Sequence, residues 1–378
     1  MSLRVCHLGK YYPPARGGIE THVQSLARAQ ARLGASVEVI VVNHLPGPST
    51  EERDGAVTVR RVRRFASVGK LDLAPGVARA IRESPADILH LQVPNPLMIL
   101  ALILEPPRVP IVVTYQSDHV RQRVLGPLFR PIEDVFYPRV ARILATTPRY
   151  ALGSRVLREH RDRVSLLPLG VPLGPWVSPG DGVLAAAAAL RERHPGPIWL
   201  ACGRLVYYKG LATAVRALRD VPGVLWLVGE GPDRAILEDE AARAGVSSRV
   251  SFLGNVPDLR PLYRAATALW FPSNERSEAF GLVQIEAMAS GCPVINTAIP
   301  ASGVTWVCPG DETGLTVPLD DPGALAAAAR RLLAEPGLRE RLAEGARERA
   351  RRELDEDQMA ERSLEVYREV LTGPSSIA

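Results

Sequence analysis

Cysteine is scarce in this chain, and the four present, Cys6, Cys202, Cys292 and Cys308, share no metal-ligand spacing. Cys6 and Cys202 fall in apolar, strand-like runs and read as buried thiols, which suits a reducing, cytoplasmic setting. Long apolar runs are missing too. Leu97 to Leu104 is too short to span a membrane and is bracketed by prolines, and the opening MSLRVCHLGK passes straight into a strand pattern, with no signal-peptide layout. Aromatic residues make up only 5% and no nucleic-acid-binding motif occurs, so nucleic acid is not an expected partner. GxGxxG follows neither opening strand, which argues against a dinucleotide-dependent oxidoreductase or sensor.

What is there is a globular composition, 46% hydrophobic over 378 residues, long enough that two domains are expected. The charge is uneven. Residues 1–172 hold 24 Lys and Arg against 14 Asp and Glu, while the remainder holds 22 against 27. Six of the seven histidines also lie in the first half. A basic half suggests an anionic partner, and with nucleic acid set aside, anionic lipid or a phosphorylated acceptor is expected.

Strand patterns rich in Val, Ile and Leu alternate with helical ones: Leu3–Gly9, Ser36–Val42, Val57–Val62, Ile88–Gln92, Ile111–Tyr115, Ala141–Thr146 and Val164–Pro168. Continuous apolar strands between helices predict parallel sheets covered on both faces. Near residue 170 a proline- and glycine-rich stretch, Leu167–Pro175 and then Ser178–Asp181, reads as a linker. The pattern restarts with strands at Ile198–Cys202, Val224–Val228, Val250–Leu253 and Ala268–Phe271, then short ones at Pro293–Asn296, Thr305–Val307 and Gly314–Val317. A charged helical segment follows from Pro336 to Leu371, with breaks expected near Gly345 and Leu354. The expected fold class is α/β. Domains are placed at 1–172, joined by a terminal helix at about 358–378, and at 173–357.

Several stretches carry candidate chemistry. Asn274–Gly291 reads as strand end, loop and helix start, with Glu278 in the loop and Glu286 a turn into the helix. Helix-start amides there favour an anion, and two carboxylates beside them suit a ligand rich in hydroxyls, such as a nucleotide sugar. Arg204 and Lys209, in GRLVYYKG after a strand, are placed to clamp a diphosphate, against the plainer reading of two solvated cations. Gly17-Gly18 reads equally as a phosphate approach or a tight turn. Val228–Asp233 reads as a structural turn, and Leu253–Pro257 as a loop able to hold a base through its backbone. Asp118 and His119 end a strand, where an ordinary loop or core histidine is the commoner outcome. Val124–Leu144 mixes Phe129, Phe136 and Tyr137 with arginines, and reads either as a half-buried helix or as an interfacial surface.

Taken together, YYPPARGGIE, LHLQVPNPL, TYQSD, GRLVYYKG, LVGEGP, FLGNV, SEAFGLVQIEA and GVTWV resemble glycosyltransferase family 4, in its rhamnosyl- and mannosyltransferase-like group, over nearly the whole chain. The resemblance implies a GT-B fold: two facing Rossmann-like domains with parallel sheets and an inter-domain cleft, the last helix crossing back onto the first domain. It implies a retaining transfer of a hexosyl group, mannose-type favoured, from a GDP- or UDP-sugar to a hydroxyl of a lipid-linked or cell-envelope glycan, cytoplasmic or peripheral at the inner membrane face. Arg204 and Lys209 would then bind the leaving diphosphate, Glu286 the ribose, and Glu278 with the backbone of Phe280, Gly281 and Leu282 the donor sugar. Gly17 and Gly18 would line the phosphate and acceptor side, and Val256 would lie near the base. No metal or other cofactor is expected, since Arg and Lys can neutralise the diphosphate. Relatives often carry histidine where this chain has Gln116, near Asp118 and His119 on the acceptor side. Glutamine can hydrogen-bond but carries no proton to transfer, which puts a general-base role there in doubt. The alternatives on the same plan are a nucleotide-sugar epimerase or phosphorylase, or a non-catalytic nucleotide-sugar-binding protein.

Overall fold

A computed structural model describes residues 2–15, 17–68, 71–118 and 126–373. The chain divides into two compact units, the first formed by Met1–Gly170 with Glu356–Ala378 and the second by Val171–Asp355.

In the first unit the strands are β1 (Arg4–Leu8), β2 (Ser36–Val42), β3 (Thr50–Asp54), β4 (Val57–Val62), β5 (Ala66–Val68), β6 (Leu71–Leu73), β7 (Ile88–Val93), β8 (Ile111–Tyr115), β9 (Arg142–Ala145) and β10 (Val164–Leu166). Eight of them form a sheet in the order β10-β9-β8-β7-β1-β2-β4-β3. All its pairings are parallel except β3 with β4. β7 and β8 are buried at every position, as strands covered on both faces must be. The helix Gly18–Arg32 packs on this sheet beside the C-terminal helix Glu356–Thr372. Met359, Ala360, Leu364 and Tyr367 of the latter share a core with Val5, Leu26, Ile88, Val112 and Leu144.

The second unit holds β11 (Ile198–Cys202), β12 (Val224–Val228), β13 (Val250–Gly254), β14 (Ala268–Phe271), β15 (Val294–Thr297) and β16 (Gly314–Val317), in the order β13-β12-β11-β14-β15-β16, all parallel. Trp199 and Trp270 stack across β11 and β14 with ring centroids 5.0 Å apart. In both sheets the strand order reverses beside the first strand, between β1 and β7 and between β11 and β14. The crevice beyond the carboxyl ends at such a reversal is where doubly wound sheets take ligands.

Three local expectations change. Thr305–Val307 lies in a short helix, Val304–Val307, whose first amide is taken by the Ser302 hydroxyl at 3.2 Å. Gly345 breaks nothing, since the helix Leu338–Glu353 runs through it. A Cβ at Gly345 would stand 2.4 Å from the Glu312 carbonyl oxygen, so the glycine permits a close approach. Within and just after the expected linker lie two helices, Gly174–Val177 and Asp181–Arg193. Phe136 and Tyr137 are buried, in keeping with the half-buried-helix reading of Val124–Leu144, whose first two residues lie outside the described ones.

Candidate functional site

In the second unit the loops after β11 and β14 are laced together at the strand reversal. The Asn274 amide donates to the Tyr208 carbonyl at 3.0 Å, and the Tyr207 hydroxyl to Glu275 at 2.8 Å. Gly210 makes the approach possible: its φ is +61°, and a Cβ there would lie 2.0 Å from the Pro272 carbonyl oxygen. This places Lys209 against Glu278. The ammonium pairs with the buried carboxylate, which also accepts from the Ser273 hydroxyl at 3.1 Å. The ammonium stands 5.4 Å from the centre of the Phe271 ring, and the Ser302 hydroxyl donates to the Glu278 carbonyl at 2.5 Å. A pair removed from water this far is costly unless its remaining lone pairs find partners; Ser273 serves the oxygen that Lys209 pairs with, Ser302 holds only the backbone, and the second carboxylate oxygen is left to accept from a ligand. Arg204, on the same loop, is exposed and donates to the Tyr208 hydroxyl at 3.1 Å.

Glu286 lies on the helix Leu282–Ala289, which begins at Gly281 in a left-handed conformation (φ +83°). Its carboxylate accepts from the Tyr263 hydroxyl at 3.0 Å. Burial pushes the Glu286 carboxyl up to about 7, with the tyrosine bond opposing the shift. Phe280 is buried beside Trp306, and its carbonyl accepts from the Gln284 amide at 3.0 Å, so the turn ahead of the helix is fixed. Leu282 and Val256 are half-buried, the latter in the loop after β13. Gly229 and Gly231 let the β12 loop touch the β11 loop: a Cβ would meet the Gly203 carbonyl oxygen at 2.0 Å and that of Leu205 at 2.2 Å. That turn is structural.

In the first unit, Gly17 is extended and Gly18 opens its helix with nothing within 4 Å of where a Cβ would stand. A Cβ at Gly17 would stand 2.1 Å from a Glu20 carboxylate oxygen, so the backbone there packs closely on the first turn of its helix. At the end of β8, Gln116 is nearly buried and its amide nitrogen donates to Gln92 at 2.9 Å. Asp118 accepts from the hydroxyls of Tyr115 at 2.7 Å and Ser154 at 2.8 Å, which anchors the loop. His119 lies outside the described residues. Among the described residues no group of three or more His, Cys, Asp or Glu could hold a metal ion.

The structure thus brings together Lys209 and Glu278, and sets Glu286 on the helix that follows. Sequence reasoning passes over Ser273 and Tyr263, the hydroxyls that hold the two glutamates. Ser273 lies two residues past the end of β14 and could have been found there, whereas Tyr263 carries no local signal.

Two family models match in succession, a glycosyl transferase 4-like domain over residues 17–170 and glycosyl transferases group 1 over residues 185–349. The D-rhamnosyltransferase WbpZ of Pseudomonas aeruginosa is 33% identical, covering 92% of this chain and 91% of that one. O-antigen chain mannosyltransferase C of Escherichia coli is 28% identical over 99% of this chain and 100% of its own. Among solved structures, sucrose-phosphate synthase from Thermosynechococcus elongatus superposes with a TM-score of 0.83 at 24% identity, covering 98% of this chain and all of that one. HepE of Anabaena in complex with UDP-glucose superposes with a TM-score of 0.77 at 17% identity, covering 97% and 100%. The fold is GT-B, and the chain is a glycosyltransferase that belongs to family 4, the retaining GT-B enzymes, in their rhamnosyl- and mannosyltransferase-like group.

Proposed function

We propose that the enzyme transfers a mannose-type hexosyl group from GDP- or UDP-sugar to a hydroxyl of a lipid-linked or cell-envelope glycan. The observation that carries this reading is the Lys209–Glu278 pair at the strand reversal, with Arg204 on the same loop. A carboxylate there accepts from sugar hydroxyls, while the two cations stabilise the diphosphate as the glycosidic bond breaks, so no metal is called for. Glu286 takes the ribose hydroxyls, and the turn Phe280–Leu282 meets the sugar with its backbone. Gly17 and Gly18 let the first unit's backbone approach the phosphates and acceptor. Leaving-phosphate oxygen is the acceptor of the incoming hydroxyl's proton, a role that Gln116 cannot fill. Relatives named for rhamnosyl and O-antigen mannosyl transfer support the sugar class and the glycan acceptor. The HepE complex with UDP-glucose supports a nucleotide-sugar donor.

Titration calorimetry with GDP and UDP tests the donor side. Arg204→Ala and Glu286→Ala should each weaken nucleotide binding at least about tenfold, a loss on the scale of one charge-assisted hydrogen bond. Unchanged affinity in both variants would remove these residues from the site.

A further inference from the structure

Behind Gln116 a chain of buried polar groups runs through the first unit to the C-terminal helix. Gln116 donates to the Gln92 oxygen at 2.9 Å, and the Gln92 nitrogen lies 3.4 Å from His90 Nε2. The Thr114 hydroxyl lies 2.7 Å from the same ring nitrogen. On the other side of the ring, Nδ1 stands 2.5 Å from the Tyr367 hydroxyl, which also accepts from the Gln30 amide at 3.1 Å. His90, Gln92, Thr114 and Tyr367 are each no more than 1% exposed. Burial holds His90 far below the usual imidazole range, so the ring is neutral and carries a single proton.

Partners assign that proton. With the Gln92 nitrogen toward the ring, Nε2 accepts and carries the lone pair, and the Thr114 hydroxyl, able to donate or accept, donates to it as well. The proton sits on Nδ1 and is donated to the Tyr367 oxygen. Gln116 in turn spends its nitrogen on Gln92, leaving its own carbonyl oxygen to accept a hydroxyl beyond the end of β8.

We propose that Tyr367 and Gln92 are positioning residues for glycosyl transfer: through the His90 tautomer they fix which end of the Gln116 amide faces the substrates. This rests on the reading that Gln116 lies on the acceptor side. Loss of the Tyr367 hydroxyl removes the acceptor from Nδ1 and lets the ring proton settle on Nε2. Gln92 must then turn its oxygen to the ring, and Gln116 turns over and presents N–H in place of C=O. A residue on the returning helix thereby decides the hydrogen-bonding character of a side chain at the far end of β8.

The test is a double-mutant cycle. Tyr367→Phe and Gln92→Met are each made in the wild-type and Gln116→Ala backgrounds, and nucleotide release from the preferred nucleotide sugar is measured with acceptor present. In the wild-type background each should lower kcat roughly tenfold, the scale of one reversed hydrogen bond. KM for the donor and nucleotide affinity should be unchanged. In the Gln116→Ala background neither should lower kcat further. Thermal melts monitor folding, and the two variants probe the chain from opposite ends, so one suffices should the other fail to fold. Equal losses in both backgrounds would overturn the proposal, as would full activity of the wild-type-background variants beside an impaired Gln116→Ala. Full activity of Gln116→Ala itself would instead defeat the acceptor-side reading, and the proposal with it.

Discussion

At the scale of single residues, Glu286 is held where burial opposes its charge, with its carboxyl pushed up to about 7 against an ordinary 4.5. The folded protein therefore binds a proton that the unfolded chain has released between those values, and stability must fall as pH rises through that window. Glu286→Gln removes the ionisation, so the ligand-free variant should be more stable than the parent at pH 8, by ~1–3 kcal/mol after allowance for partial solvent access, and melt at a higher temperature. The difference should shrink toward pH 5. Melting curves across that range check it, and a pH-independent difference would refute the assignment. Ribose hydroxyls donate to a carboxylate, so nucleotide affinity should change in the opposite sense and rise through pH 7. The two cations and Glu278 stand out in the sequence because they follow strand ends at Cys202 and Phe271 by at most seven residues, and Glu286 because helical spacing resumes around it. Their supports were not: Tyr263 reaches Glu286 across 23 positions of chain, a separation that no local pattern encodes.

At the scale of elements, hydrophobic runs announced nearly every parallel strand, because a strand buried on both faces has no polar positions to confuse the pattern. Errors fell where that logic fails. β3 (TEERD) is an exposed antiparallel edge with almost no apolar content, and Asp181–Arg193 is an alanine-rich helix without a marked apolar face. Gly345 misled for a different reason: its glycine serves a neighbour instead of its own helix. Alanine is the better helix former by ~1 kcal/mol, yet the Glu312 carbonyl oxygen would stand 2.4 Å from its Cβ, well inside contact. Gly345→Ala should therefore lower Tm. Gly182→Ala is the control, in a helix position with nothing within 4 Å of the new methyl, and should raise Tm slightly. A higher Tm for Gly345→Ala would show that the helix shifts freely and that the close approach is dispensable.

For the whole molecule, the returning helix alters the balance of charge as well as completing a core. Residues 356–378 bring five acids and two arginines to the first unit, which then holds 26 Lys and Arg against 19 Asp and Glu, with 20 against 22 in the second. The asymmetry read from the linear halves is thus softened but keeps its sign. Arg63 is exposed, and Phe65, two residues on, is 75% exposed, so the basic unit offers a cation and an apolar ring from one short segment. No helix among the described residues is long and apolar enough to cross a membrane. Attraction of the basic unit to an anionic bilayer is electrostatic, and screening sets its signature: the Debye length is ~10 Å at 0.1 M salt and ~3 Å at 1 M. If the anionic partner of the basic unit is a lipid, the protein should sediment with phosphatidylglycerol vesicles at low ionic strength and be released as salt rises, while phosphatidylcholine vesicles should leave it in the supernatant. Phe65→Ser should lower the fraction retained at intermediate salt, where the ring's burial is the remaining attraction. Absence of binding at low salt would assign the basic unit to a soluble anionic acceptor. Binding that salt does not weaken would mean that apolar insertion, and not the charge of the unit, holds the enzyme at a lipid surface.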